Sequence, residues 1–394
     1  AVSCLDEDGN EVDWWVAVKF PSGAHYSYFL SSGSGFVKSQ YELSSQSGGC
    51  IYNTLQQIYN GDADSYVMYN DESPDGVNHE SNGHTKGTAA SYGEDAFFLL
   101  HSVPKFPPVK SAGYSMPSNA FDFGQSFFCM SMSKDNLETA AGKWLLTNPF
   151  VYDSYLSSDS GFSNLKSVID GNYESEATTG VAYLETKDGM SLTYLTKTAA
   201  WDKDLYESLV APTLRSSLLV ETWMDGNDPL LSECTPDADY TVKNIQSLDI
   251  TGTFFYEADD HSKWCITSDD SSKTVCMAGI NRMKTQFQRA GGAMCFRPGN
   301  GLHQALYDAV QSSADCGEAK TQENEKNTPV FDADVKFKTE SKSAGSKHPL
   351  ALALGLGLGF AALFVVGVIL VLFVRRRRDN AYMLQYRQRL VDEY

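Results

Sequence analysis

Two tripeptides of the same form, His84-Thr85-Lys86 and His261-Ser262-Lys263, stand 177 residues apart in a chain of 394 residues with seven histidines. Together they supply what phosphoryl transfer without a metal requires: a neutral imidazole to attack phosphorus, a protonated imidazole to give its proton to the leaving oxygen, and lysines to hold the phosphate oxygens. One such triplet carries little weight, and the pair gains it from matching surroundings. Residues 96–121 contain Lys105 and Lys110 and no acid; residues 271–307 contain Lys273, Arg282, Lys284, Arg289 and Arg297 and no acid. Each acid-free window follows a triplet, as expected of a phosphate-binding face, with chance clustering on a solvated face as the alternative. His25, His79, His303 and His348 lack this context and are expected at the surface. No cysteine pair has the CxxC spacing of a zinc site, and no metal or other cofactor is expected.

The elements that would position these groups alternate between the two structural periods. An apolar run at 14–20 reads as a buried strand, 31–49 as a Ser/Gly-rich loop and 51–59 as a helix. Strands are expected at 65–69, 96–103 and 126–132, then an amphipathic helix at 134–146. The second half repeats the theme with strands at 180–185, 191–196, 217–223, 264–267, 274–279 and 293–296 and a closing helix at 301–310. This is α/β patterning, divided into an N-terminal lobe at 1–150 and a C-terminal lobe at 151–316. With 42% hydrophobic and 12% aromatic residues the chain can build a sizeable core, which excludes a wholly disordered protein. Residues 317–348 shift to Lys, Glu, Thr and Ser and read as a flexible stalk. Residues 349–374 carry no charge, and at about 1.5 Å per residue a helix of that length would cross a bilayer. Four arginines, Arg375 to Arg378, follow at once, so 375–394 is expected in the cytoplasm and the lobes in the lumen or outside, a type I topology. The tail carries a net +3 and the rest −22, so a luminal body meeting a polyanion would do so through its basic windows. All eight cysteines precede the apolar run, on the side where disulfides persist.

Five segments, taken together, carry a family resemblance: Val12-Asp13-Trp14-Trp15; His84-Thr85-Lys86-Gly87; His101-Ser102-Val103-Pro104 with Phe106-Pro107-Pro108; Asp260-His261-Ser262-Lys263-Trp264-Cys265; and Asn281-Arg282 leading to Arg289, Gly291 and Gly292. From about Cys4 to Cys316 the chain resembles the deoxyribonuclease II family, whose catalytic core is similar to the phospholipase D superfamily. The resemblance implies a pseudo-twofold pair of α/β/α lobes that bring His84 and His261 face to face. It implies His84 as nucleophile, His261 as general acid, Lys86 and Lys263 as phosphate ligands, and His101, Ser102, Asn281 and Arg282 as substrate-binding or orienting residues. The superfamily's Asp seven residues after each His is Ser91 in one half and Ser268 in the other, so something else must orient the imidazoles. Disulfides Cys4–Cys129, Cys234–Cys316 and Cys276–Cys295 are implied; Cys50 and Cys265 are left free or joined to each other.

The activity implied is an acid endodeoxyribonuclease that needs no metal, forms a phosphohistidine and leaves 3′-phosphate and 5′-hydroxyl ends on its DNA substrate. A lysosome-like acidic compartment fits that chemistry, with the cell surface as the other possibility. Two other readings stand beside it: a phospholipase D-like lipid phosphodiesterase, and a catalytically retired type I receptor or adhesion protein.

Overall fold

The segment Trp14–Lys19 is buried at every position, and its alternate residues enter different cores: Trp14, Val16 and Val18 pack on one side, Trp15 and Ala17 on the other. Only an inner strand covered on both faces accounts for that pattern. In the computed structural model, which describes residues 1–234, 239–268 and 272–319, this strand lies within an eight-stranded sheet. The order is Val151–Tyr155, Ser65–Asn70, Lys86–Tyr92, Asp95–His101, Gln125–Ser133, Trp14–Lys19, His25–Leu30 and Val37–Glu42, every neighbouring pair antiparallel. The second sheet, of nine strands, runs Thr179–Glu185, Ser191–Lys197, Gly291–Phe296, Val275–Ala278, Trp264–Thr267, Leu218–Glu221, Val242–Ile250 and Thr253–Tyr256, with Val310–Ser313 also paired to Val242–Ile250. It is antiparallel except where Leu218–Glu221 meets Val242–Ile250.

Both sheets contain the same three-strand meander, Lys86–Tyr92, Asp95–His101 and Gln125–Ser133 in one and Trp264–Thr267, Val275–Ala278 and Gly291–Phe296 in the other. A His-x-Lys triplet leads into the first strand of each. The sheets share a central core in which Trp14, Phe98 and Phe128 of one meet Tyr194, Trp264 and Phe296 of the other; Phe128 stacks on Phe296 with centroids 4.4 Å apart. Helix Lys134–Thr147 adds Leu137, Ala140, Ala141 and Trp144 to this core. Its start is capped by the Ser133 hydroxyl, which accepts from Asn136 N–H. Helix Cys50–Tyr59 covers the outer face of the first sheet, and a π-helical turn, Tyr206–Val210, covers that of the second.

The fold is therefore mixed α/β, but richer in antiparallel strand and poorer in helix than a pair of separate α/β/α lobes. The reason is the shared core: each sheet buries one face directly against the other half, so one thin layer of helix suffices between them. The first sheet also runs past the expected lobe boundary at 150, taking Val151–Tyr155 as its edge strand. Lys86–Tyr92, which carries a triplet lysine, escapes sequence patterning because KGTAASY is small and weakly apolar although six of its seven residues are buried. Within the expected loop at 31–49 lies the exposed edge strand Val37–Glu42.

Disulfides join Cys4 to Cys129, Cys234 to Cys316 and Cys276 to Cys295, closing long and short loops and restricting the unfolded chain accordingly. Cys50 and Cys265 are free and buried, although Cys265 lies directly opposite Cys276 in the sheet. The stalk beyond Ala319, the apolar run 349–374 and the tail lie outside the described residues. Among the described residues no helix is long and apolar enough to cross a membrane.

Candidate active site

The strand register explains why Lys86 meets acids. Lys86 opens its strand opposite Asn70, the last residue of the neighbouring strand, so the two residues that follow, Asp71 and Glu72, fall beside its ammonium. Nζ lies 2.6 Å from Asp71 Oδ1 and 3.6 Å from Glu72 Oε1. The other oxygen of Asp71 pairs with Arg289 of the second half at 2.8 Å. Burial alone would raise the Asp71 carboxyl, but Lys86, His84 and Arg289 outweigh it and hold it below the usual carboxylate range.

Each histidine takes its position from the opposite half. His84 N–H donates to Ala290 C=O at 2.9 Å, and its ring Nδ1 lies 2.5 Å from Gln286 Oε1. An amide oxygen at that distance would accept a proton from Nδ1 and leave the Nε2 lone pair available. Across the seam, His261 N–H donates to Gly124 C=O at 2.9 Å while Gly124 N–H donates to Asp259 C=O at 2.8 Å. The His261 ring stacks on Phe123, centroids 4.0 Å apart and planes 17° off parallel, and Trp223 lies at 5.1 Å. Its buried Nε2 has no hydrogen-bond partner among the described residues. The approach needs glycine: a Cβ on Gly124 would stand 2.4 Å from Asp260 Oδ1, and one on Gly279 would stand 2.6 Å from the His84 carbonyl oxygen.

The four triplet side chains share one electrostatic environment. Burial pushes both imidazoles well below the normal histidine range, and both lysines add to it: His84 feels Lys86 and Lys263, and His261 feels the same two. Lys263, whose ammonium donates to the His261 carbonyl at 2.8 Å, is lowered to about 7 by burial and then by Lys86. Asp260, beside it, is raised to about 6 by burial, and Glu221 is pushed up by burial and by Asp260. Burial thus favours two neutral imidazoles in the seam, with Lys86, Lys263 and Arg289 beside them to face a phosphodiester anion. An arriving phosphate would raise the imidazole pKa values and let one ring take a proton. Among the described residues, no three His, Cys, Asp or Glu side chains gather as metal ligands would.

The remaining expected residues fall into different places. His101 packs between Phe106 and Phe127, accepts from Val103 N–H at 3.2 Å and is lowered to about 3 by burial, which keeps it neutral. Ser102 donates to Gln125 at 2.5 Å and accepts from Ser126 N–H; the Ser126 hydroxyl in turn accepts from Lys263 N–H at 3.3 Å. Ser102 therefore braces the loop under the second triplet from the first half. Asn281 is buried with its amide oxygen unbonded. Arg282 departs from the expectation of a substrate contact: it is fully buried, hydrogen-bonded to Asn244 and flanked by Asp204 and Glu207 at 3.8 Å. Its charge is held inside the second half by acids far from it in sequence. His303, expected at the surface, is buried against Thr267. Sequence reasoning missed Gln286, Asp71 and Phe123. The strand end before Asp71 and the acid-free window that contains Gln286 could have pointed to two of them; Phe123 sits in a loop without a pattern.

Comparison with known proteins places the chain in a family. A family model described as Deoxyribonuclease II matches residues 3–316. The chain is 33% identical over 337 residues to Plancitoxin-1 of Acanthaster planci, covering 80% of this chain and 93% of that protein. It is 32% identical over 341 residues to Deoxyribonuclease-2 of Caenorhabditis elegans, with 75% and 89% covered. To Deoxyribonuclease-2-beta of Rattus norvegicus it is 30% identical over 336 residues, with 80% and 93% covered.

Proposed function

The chain belongs to the deoxyribonuclease II family and is a deoxyribonuclease II-type endonuclease, and we propose that it cuts DNA at acid pH without a metal, through a phosphohistidine on His84. One observation supports this reading above all: the two triplets share one buried environment in which each imidazole feels both Lys86 and Lys263, and His84 Nδ1 lies 2.5 Å from the Gln286 amide oxygen.

In the first step His84 Nε2 bonds to phosphorus and the P–O5′ bond breaks, while protonated His261 gives its proton to the departing 5′ oxygen. In the second step a water molecule, losing its proton to the now neutral His261, displaces His84 and leaves a 3′-phosphate. Lys86 and Lys263 hold the nonbridging oxygens, where negative charge grows. Acid pH supplies the single proton the pair must share. The uncharged run 349–374, followed by four arginines, supports a type I tether that keeps the nuclease on the luminal or outer side of a membrane, in an acidic compartment.

The test uses the full-length chain on plasmid DNA and phosphatidylcholine side by side, across pH and with EDTA present. The expected outcome is DNA cleavage that survives chelation and peaks below about pH 6.5, the ordinary histidine value. Full activity at alkaline pH, loss in EDTA, or a preference for the lipid would each overturn the proposal.

A further inference from the structure

Two lysines outside the triplets occupy equivalent places in the two sheets. Lys19 ends the strand Trp14–Lys19 and pairs in register with Gln125, the first residue of the third meander strand. Lys197 ends the strand Ser191–Lys197 and pairs with Gly291, likewise the first residue of the third meander strand. Both are completely buried.

Among the described residues neither ammonium lies within ion-pair distance of a carboxylate, although Asp260 and Asp122 act on Lys19 and Asp204 and Asp202 on Lys197 from farther away. Lys19 Nζ donates to the carbonyls of Ala120 and Phe123, at 2.5 and 2.6 Å. Lys197 Nζ donates to the carbonyls of Phe287 and Arg289, both at 2.7 Å, and more weakly to that of Gln286 at 3.4 Å. These carbonyls belong to the two loops that cross the seam. The loop at 120–123 brings Phe123 onto the His261 ring and leads into Gly124, which holds the His261 backbone. The loop at 286–289 brings Gln286 to His84 Nδ1 and leads into Ala290, which holds the His84 backbone.

We propose that Lys19 and Lys197 are paired positioning residues, each clamping the loop by which its own half orients the catalytic histidine of the other. An ammonium has three donors on a compact centre, so it can gather several carbonyls of an irregular loop that has no ladder to satisfy them. Removing the charge from water is costly, and a buried lysine kept for stability alone would be poorly replaced by this arrangement in both halves at the same register. The duplicated position is explained by a duplicated task. Lys197 acts on His84 through Gln286, and Lys19 acts on His261 through Phe123.

The inference rests on the assignment of His84 and His261, and a double-mutant cycle in the full-length chain separates the two. Lys197→Met and Gln286→Ala should each lower kcat on DNA by roughly ten- to a hundredfold, the loss that misplacing a reacting group brings, with little change in KM. In the Gln286→Ala background Lys197→Met should cost at most a few-fold more, because both act on one ring. Lys19→Met should keep its full effect in that background. Additive losses for Lys197→Met and Gln286→Ala would overturn the clamp while leaving His84 as the nucleophile. No loss in Gln286→Ala would remove the reading of His84 and the inference with it. If Lys197→Met does not fold, Lys197→Gln, which leaves the loop carbonyls without the ammonium, takes its place: a kcat loss that largely vanishes in the Gln286→Ala background supports the clamp, and wild-type kcat overturns it.

Discussion

The two halves of the seam present the same two side chains in different electrical settings. Around His84 the charges are balanced in advance: ionised Asp71 sits between Lys86 and Arg289, and a single amide, Gln286, fixes the ring. Around His261 the ring is held by aromatic faces, and the neighbouring acids Asp260 and Glu221 are pushed up, toward their neutral forms. The Lys263 ammonium donates to a carbonyl, that of His261. On the proposed reading, the first half favours a neutral imidazole held by one amide, as a nucleophile needs. The second half leaves its imidazole unbonded at Nε2, in a place where a proton can come and go. The duplication supplied two copies of one site, and the packing around each made them unequal.

The sharpest way to break this comparison is to remove each ring. His84→Ala should abolish turnover on DNA and on a nitrophenyl phosphodiester alike, and no phosphoenzyme should be trapped. His261→Ala should lose about 10²–10⁴-fold on DNA but regain cleavage of the nitrophenyl ester, whose leaving group needs no proton. Rescue of the His84 variant instead, with label on His261, would reverse the two roles.

Next in size is the contrast between the acids. Asp71→Asn leaves Arg289 without its counter-charge and Lys86 with Glu72 alone, at 3.6 Å, and should cost about 3–5 kcal/mol of stability in denaturant unfolding. Asp260→Asn should be nearly neutral at acid pH, where the wild-type carboxyl already carries its proton. With a folded-state value of about 6, above the unfolded one, Asp260 loses stabilising influence as pH rises from about 4 through about 6. The Asn variant should therefore gain on the wild type as pH rises across that window. Equal effects of the two substitutions at acid pH would erase the distinction between the halves.

The smallest effect sharpens the role of the lysines. Because Lys263 titrates at about 7, KM for DNA should rise several-fold as pH increases through neutrality. Lys263→Met should flatten that rise. Lys86→Met, removing a lysine already paired with Asp71, should weaken binding but leave the pH dependence in place. An unchanged rise in Lys263→Met would assign it to another group.

Much of the molecule is legible in its residues, because strong apolar periods survive without knowledge of neighbours. Trp14–Lys19 reads as an inner strand, Lys134–Thr147 as a helix, and Trp264–Thr267, where the second triplet leads, as a strand. The strand Lys86–Tyr92 is illegible for the opposite reason: its small residues are buried by what packs on them rather than by their own hydrophobicity. Arg282 misleads in another way. It lies in an acid-free window, as a phosphate ligand would, yet Asp204, Glu207 and Asn244 close around it from distant segments.

From the sequence alone follow the chemistry and its number: two imidazoles and two ammonium groups, in matching contexts, can serve one phosphodiester, whatever the fold between them. Which ring attacks does not follow, because both triplets are chemically alike. What makes the two rings unequal comes from contacts between residues far apart in the chain, Gln286 with His84 and Gly124 with His261, and from which carboxylates stay ionised once buried. The pKa of a buried group depends on the charges and dipoles packed around it, and no spacing along the chain records them.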